Sequence, residues 1–157
     1  MKIVATADLH GYLPTDLPPG DVLVIAGDMT YKARDDYWSQ SDFVNVPFIQ
    51  WCNKLISMKR FNHIVWIMGN HEKFGSHEPE LLDLSNAHKN VHYLQDEGIT
   101  IDGVKFWGTP HTEPFCGWGF NTPKFERKEI FDKIPEDIDV LITHGPPKAG
   151  MLGVCRD

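Results

Sequence analysis

Four short apolar runs constrain this chain more than any other feature: Ile3-Val4-Ala5, Val22-Leu23-Val24-Ile25-Ala26, Ile64-Val65-Trp66-Ile67-Met68 and Val140-Leu141-Ile142. They are rich in β-branched residues and do not alternate with polar ones, which is the pattern of strands buried on both faces beneath helices. Each is too short for a buried helix and runs into Gly, Thr or Asp. Between the second and third runs, Val46–Arg60 carries Phe48, Trp51, Cys52, Leu55 and Ile56 at roughly helical spacing, which predicts an amphipathic crossover helix. A weaker helix is predicted over Pro79–Asn86 and another over Lys124–Lys133. Val91–Leu94, Ile99–Ile101 and Val104–Trp107 read as shorter strands, the last two joined by a tight turn at Asp102-Gly103. No repeat, low-complexity tract or linker interrupts residues 1–157, so one α/β domain is expected.

A chain of 157 residues has the length for one hydrophobic core. With 41% hydrophobic and 24% charged residues it is ordinary globular material, which excludes a disordered chain. The net charge of −7, without basic runs, makes a poor surface for duplex nucleic acid, since that binding rests on Lys and Arg neutralising phosphates. It leaves open a small phosphate ester held by metal ions. No apolar run approaches the ~20 residues of a membrane span, so no membrane partner is expected. Asp8 comes too early for the apolar core of a signal peptide. Cys52, Cys116 and Cys155 are odd in number and widely spaced, form no CxxC pair and suggest no disulfide framework. A cytoplasmic location is the expectation.

The chemistry follows the strands. After the first run come Asp8 and His10, after the second Gly27-Asp28, after the third Gly69-Asn70-His71-Glu72, and after the fourth Thr143-His144. Sites in open α/β sheets collect at the carboxyl ends of strands. Two carboxylates, an Asn carbonyl and several imidazoles form a mixed oxygen and nitrogen donor set, which suits Mn²⁺, Fe or Zn²⁺ better than Ca²⁺. Asp8 and His10, two residues apart, can reach one ion. Asp28 has two oxygens and could bridge two ions, Asn70 offers a neutral oxygen, and His144 offers a ring nitrogen. Two such ions make a nucleophile from water at neutral pH and clamp a phosphoryl group. His71, an imidazole beside them outside the ligand set, could protonate the leaving oxygen.

These residues also carry a family resemblance. Asp8-Leu9-His10, Gly27-Asp28, Gly69-Asn70-His71-Glu72 and Thr143-His144 resemble, in order, the motifs of the calcineurin-like metallophosphoesterases. Leu17-Pro18-Pro19-Gly20-Asp21-Val22-Leu23, Trp118-Gly119-Phe120-Asn121 with Pro123, and Ile134-Pro135-Glu136 through Thr143-His144-Gly145-Pro146-Pro147 resemble the small metallophosphoesterase-domain-containing, class III phosphodiesterase-like branch. The resemblance implies two mixed β-sheets packed as a sandwich with helices outside. It implies Asp8 and His10 on a first metal, Asp28 bridging, Asn70 and His144 on a second, and His71 as proton donor or phosphate-positioning group. Glu72 would support them from behind. Mn²⁺ is the favoured ion. The family's last motif, G-H-x-H, does not occur, and with it go one histidine for each metal and a strand, so the expectation is a domain incomplete at its C-terminus.

Single residues have plainer readings. Asp8 and Asp28 could cap the turns after their strands. His63 reads as structural, and His77, His88 and His92 as exposed or locally satisfied. His111 follows another strand end and could approach the substrate. Trp38, Trp51, Trp66, Trp107 and Trp118 read as core. The function expected is hydrolysis of a phosphodiester or phosphomonoester, with a small phosphate ester or nucleotide as substrate. The alternatives are a non-catalytic metal- or nucleotide-binding pseudoenzyme and an inactive N-terminal fragment. Neither G-x-G-x-x-G nor the P-loop pattern occurs.

Overall fold

A computed structural model describes residues 1–31 and 36–146. Its seven strands form two sheets. In the first, β1 (Ile3–Thr6), β2 (Val22–Ala26), β3 (His63–Ile67) and β4 (Val91–Tyr93) lie side by side in that order. All three pairings are parallel, with Ile3 opposite Val22 and Val22 opposite His63. The second sheet has the order β5 (Glu97–Ile101), β6 (Val104–Thr109), β7 (Val140–Thr143), antiparallel between β5 and β6 and parallel between β6 and β7. The expected pair of packed sheets with helices outside is therefore present. The larger sheet is parallel throughout and only the smaller one is mixed.

The period-two alternation of a strand divides each central run between two cores. Leu23, Ile25, Ile64 and Trp66 face the helices, together with Phe48, Trp51, Cys52 and Leu55. Val22, Val24, Val65 and Ile67 face the second sheet and meet Ile101, Phe106 and Ile142. The central runs lack polar positions because neither face sees water. The first and fourth runs are not buried on both faces as expected: β1 lies at the edge of its sheet with Ile3 exposed, and Leu141 of the second sheet's last strand is exposed too.

The crossover from β2 to β3 is longer than its sequence pattern suggests. α1 (Tyr37–Phe43) begins at Asp36, whose carboxylate accepts from the Ser39 amide at 3.1 Å. A π-helical turn, Val44–Phe48, then leads into α2 (Ile49–Ser57). Pro47 inside that turn has no N–H to donate, and the Ile49 amide reaches back five residues to Val44. A proline also marks helix starts, so the pattern from Val46 onward was legible and the turns before it were not.

The predicted Pro79–Asn86 helix does not form. Only one 3₁₀ turn, Pro79–Leu81, is present. Asn45 takes up the backbone there, donating to Leu81 O at 2.8 Å and accepting from Asp83 N at 3.0 Å, and Asp83 accepts from Ser85 N. Side chains thus satisfy groups that a helix would have used. A short helix α3 (Lys73–His77), absent from the sequence reading, follows β3, and α4 (Lys124–Phe131) lies where a helix is predicted. Among the described residues no helix is long and apolar enough to cross a membrane.

Gly108 of β6 sits tightly against the first sheet. A methyl group there would meet Leu94 Cβ at 2.5 Å and Ile67 Cγ2 at 2.7 Å. Gly108→Ala should therefore destabilise the chain by about 1–3 kcal/mol, the usual cost of overpacking. Urea unfolding would measure it, and an unchanged midpoint would show that the sheets are not packed in this way.

Candidate metal centre

The carboxyl ends of β1, β2, β3 and β7 converge on one rim, so two sheets build one site. Beyond the β1–β2 ladder the chains stay zipped: Asp8 N donates to Gly27 O, His10 N to Asp28 O and Gly11 N to Met29 O, at 3.0, 2.9 and 2.7 Å. Asp8, His10 and Asp28 all adopt left-handed backbone conformations, with φ of 55°, 44° and 58°. Non-glycine residues rarely do so, and clusters of such strain mark functional sites. Here the strain turns Asp8 and His10 to one side, His10 Nε2 lying 3.9 Å from Asp8 Oδ1 and 4.0 Å from Asp28 Oδ2.

Asp28 is the hub. It is 3% exposed, and its two oxygens face different partners. Oδ1 accepts from the His71 amide at 2.9 Å and lies 3.3 Å from His144 Nε2. Oδ2 lies 3.7 Å from His71 Nε2. Gly69 is fitted against it, since a Cβ on Gly69 would stand 2.6 Å from the Asp28 nitrogen. Two groups, His10 with Asp28 and His71, and Asp8 with Asp28 and His144, each bring ligand atoms within 4.8 Å of one another. Asn70 joins them through Oδ1, 2.9 Å from His144 Nε2. All six residues singled out as metal ligands or proton donor are thus gathered around one point.

His144 Nδ1 is directed at Ala26 O at 2.8 Å, which fixes its proton there and turns Nε2 inward. Asn70 Oδ1, His144 Nε2 and the Asp28 carboxylate then present lone pairs to one another. Turned over, the Asn70 amide instead donates to His144 Nε2 at 2.9 Å and to both Asp28 oxygens at 3.2 Å. Burial lowers the His144 pKa, but the bond to and charge of Asp28 outweigh it and push the value up to about 9. Asp28 in turn is held below the usual carboxylate range, its burial outweighed by His144 and the His71 amide. A divalent cation satisfies the same lone pairs, so the residues present fit one.

Beneath the rim lies Glu72, wholly buried. Its Oε2 accepts from Asp28 N and Gly69 N at 2.9 and 2.7 Å, and its Oε1 from Thr30 N and Thr30 Oγ1, both at 2.8 Å. Burial and the nearby Asp28 charge push its pKa up to about 7, against the pull of these donors. Thr30 and Gln40, which donates to His71 O at 2.9 Å, were not foreseen, because nothing local distinguishes them. Trp118 was read as core. Instead it is half-buried, with its ring centroid 4.7 Å from that of His71, edge to face. His63 and His92 stack on each other away from the site. His111 is pinned by Asp96 and Thr122.

A family model described as Calcineurin-like phosphoesterase matches residues 1–155. The chain belongs to this family. It is 31% identical to human metallophosphoesterase domain-containing protein 1 over 93% of this chain and 48% of that protein. It is 33% identical to a UPF0046 protein of Caenorhabditis elegans over 94% of this chain and 51% of that one. An uncharacterised protein of Methanocaldococcus jannaschii is 26% identical over 98% of this chain and 65% of its own length. The chain spans about half the length of the first two relatives. Membership in a hydrolase-type, metal-dependent family accords with the donor set gathered here.

Two outcomes follow from the site. Glu72→Gln would turn an amide donor toward a buried donor, so it should cost about 1–3 kcal/mol of stability and weaken Mn²⁺ binding roughly 10–100-fold, as loss of ligand-supporting contacts does. Urea unfolding and calorimetry would read these, and unchanged values in both would deny Glu72 its supporting role. Because the folded pKa of His144 lies above its ordinary 6.5, its stabilisation is complete below about pH 6.5 and is lost as pH rises through about 9. The Glu72 window ends near pH 7, and the Cys52 thiol, raised by burial from 9.0, matters only above pH 9. With chelator present, the melting midpoint should fall between pH 7 and 9, and His144→Gln should flatten that fall. A flat profile in the unaltered chain would show that the His144–Asp28 ion pair is absent.

Proposed function

We propose that this chain holds the dinuclear centre of a phosphoesterase acting on phosphodiesters, with phosphomonoesters as the lesser substrates. Asp8 and His10 would hold one ion, Asn70 and His144 the other, and Asp28 would serve both. Mn²⁺ is the favoured ion, because mixed carboxylate, amide and imidazole donors suit it. When bound, the ions supply Lewis-acid polarisation of the phosphoryl group and lower the pKa of water. The observation that carries the proposal is the buried Asp28 carboxylate, which presents one oxygen to His144 and the other to His10 and His71.

The remaining work belongs to the chain. His71 is held by its amide on Asp28, its carbonyl on Gln40 and its Nδ1 3.2 Å from Tyr31 O. That leaves Nε2 directed into the site. A protonated His71 gives that proton to the leaving oxygen and takes it back from water in the next cycle. His10 and Trp118 pack edge to face on either side of the imidazole, at 4.6 and 4.7 Å, and keep its plane fixed. The substrate is a small phosphate ester or nucleotide with no duplex around it, since the net charge of −7 repels a polyanion that is not drawn in by metal. A cytoplasmic setting suits exposed Cys116, a free thiol.

Hydrolysis of bis-p-nitrophenyl phosphate with Mn²⁺ tests the proposal. Asp28→Ala should lower kcat/KM by at least about 10³-fold, and His71→Ala by roughly 10²–10⁴-fold. Full turnover in either variant would remove that residue from the mechanism. Tight Mn²⁺ binding by the unaltered chain without turnover would establish the non-catalytic reading instead.

A further inference from the structure

Beside the metal centre a cleft of about 480 Å³ opens between the β6–α4 loop and α3. Trp118 belongs to both places: it lines the cleft and its ring meets His71 at 4.7 Å. The loop that carries it is firmly tied. Gly119 N donates to Asn70 O at 2.8 Å, Thr112 N to Phe120 O and Thr122 N to Thr112 O, both at 3.0 Å. Behind it, His111 is held between Asp96 Oδ2 at 2.9 Å and Thr122 Oγ1 at 2.7 Å, and Asp96 accepts from Thr109 Oγ1 at 2.7 Å. The wall is therefore preorganised, and binding against it costs little ordering.

The lining has a definite chemistry. Trp118 and Phe120 supply aromatic surface, and Gln95, Asn121 and the imidazoles of His77 and His111 supply polar groups at the margins. Among the described residues no Lys, Arg, Asp or Glu lines it. Such a cleft lacks the Lys or Arg that would hold a second phosphate and offers aromatic surface to a flat, uncharged ring, for which aromatic stacking is the general mode of recognition.

We infer that this cleft receives the leaving group of the ester, that it selects a planar uncharged group of aryl or nucleobase size, and that Trp118 is the residue that determines this specificity. The inference rests on the phosphoesterase reading and names the substrate class of that site. Trp118 adjoins His71, so a leaving oxygen within reach of His71 directs its substituent along the indole.

Binding of two phosphonates to the Mn²⁺-loaded chain tests it. In benzylphosphonate and ethylphosphonate a CH₂ stands for the ester oxygen, and the two differ only in the group that would enter the cleft. Calorimetry should show benzylphosphonate bound about tenfold more tightly. Trp118→Ala should reduce that preference to less than about threefold, and Trp118→Phe should retain most of it. Independently of any variant, benzylphosphonate and not ethylphosphonate should shift the Trp118 indole N–H resonance. Equal affinities in the unaltered chain, a preference that survives Trp118→Ala, or an unmoved indole resonance would each overturn the inference. Ethylphosphonate binding equally with Mn²⁺ and with chelator would instead overturn the phosphoesterase reading beneath it.

Discussion

A single buried carboxylate organises the active rim of this molecule. Glu72 accepts four hydrogen bonds from Asp28, Thr30 and Gly69. It thereby locks the turn after β2 to the turn after β3. Those turns carry Asp28 and Asn70, so their separation is set from below by hydrogen bonds rather than by the ligands themselves. The cost is a buried charge close to another carboxylate, visible in the raised pKa of Glu72. A metal centre needs such a frame, because carboxylates held together without cations repel one another.

The second constraint is that one site draws on two sheets. β1, β2 and β3 are neighbours in the parallel sheet, but His144 comes from β7 in the other. It can reach Asp28 only because the sheets pack closely over a thin core of Val24, Val65, Ile67, Phe106 and Ile142, with Gly108 tight against the first sheet. Packing between sheets and ligand geometry are therefore the same property. A shift of the second sheet would move His144 away from Ala26 at the end of β2 and from Asn70 in the turn after β3, both hydrogen-bond partners.

Much of this was legible in the sequence because its signals are local. The run Val22–Ala26 has the bounds of β2, since unbroken β-branched residues bounded by Asp21 and Gly27 leave no other choice. The turn at Asp102-Gly103 follows from two residues that tolerate positive φ, here 49° and 82°. Illegible features depend on distant partners. Helix α1 hides behind Pro47, and the failed helix after Pro79 is undone by Asn45, more than thirty residues away in sequence. Trp118 looks like any core tryptophan until the loop bond from Gly119 to Asn70 brings it against His71.

What the sequence determined by itself was therefore the inventory: an α/β chain whose four apolar runs each lead into Asp, Asn or His, and the family to which that order of motifs belongs. Periodicity and turn chemistry are written in neighbouring residues, so they need no fold to be read. The tertiary structure decided which groups meet. It turned Asp8 and His10 to one side through left-handed backbone, gave Asp28 two differently faced oxygens, seated Glu72 under the rim and set Trp118 beside His71. Those outcomes depend on the spacing between two sheets and on hydrogen bonds between loops far apart in the chain, and no local pattern encodes either.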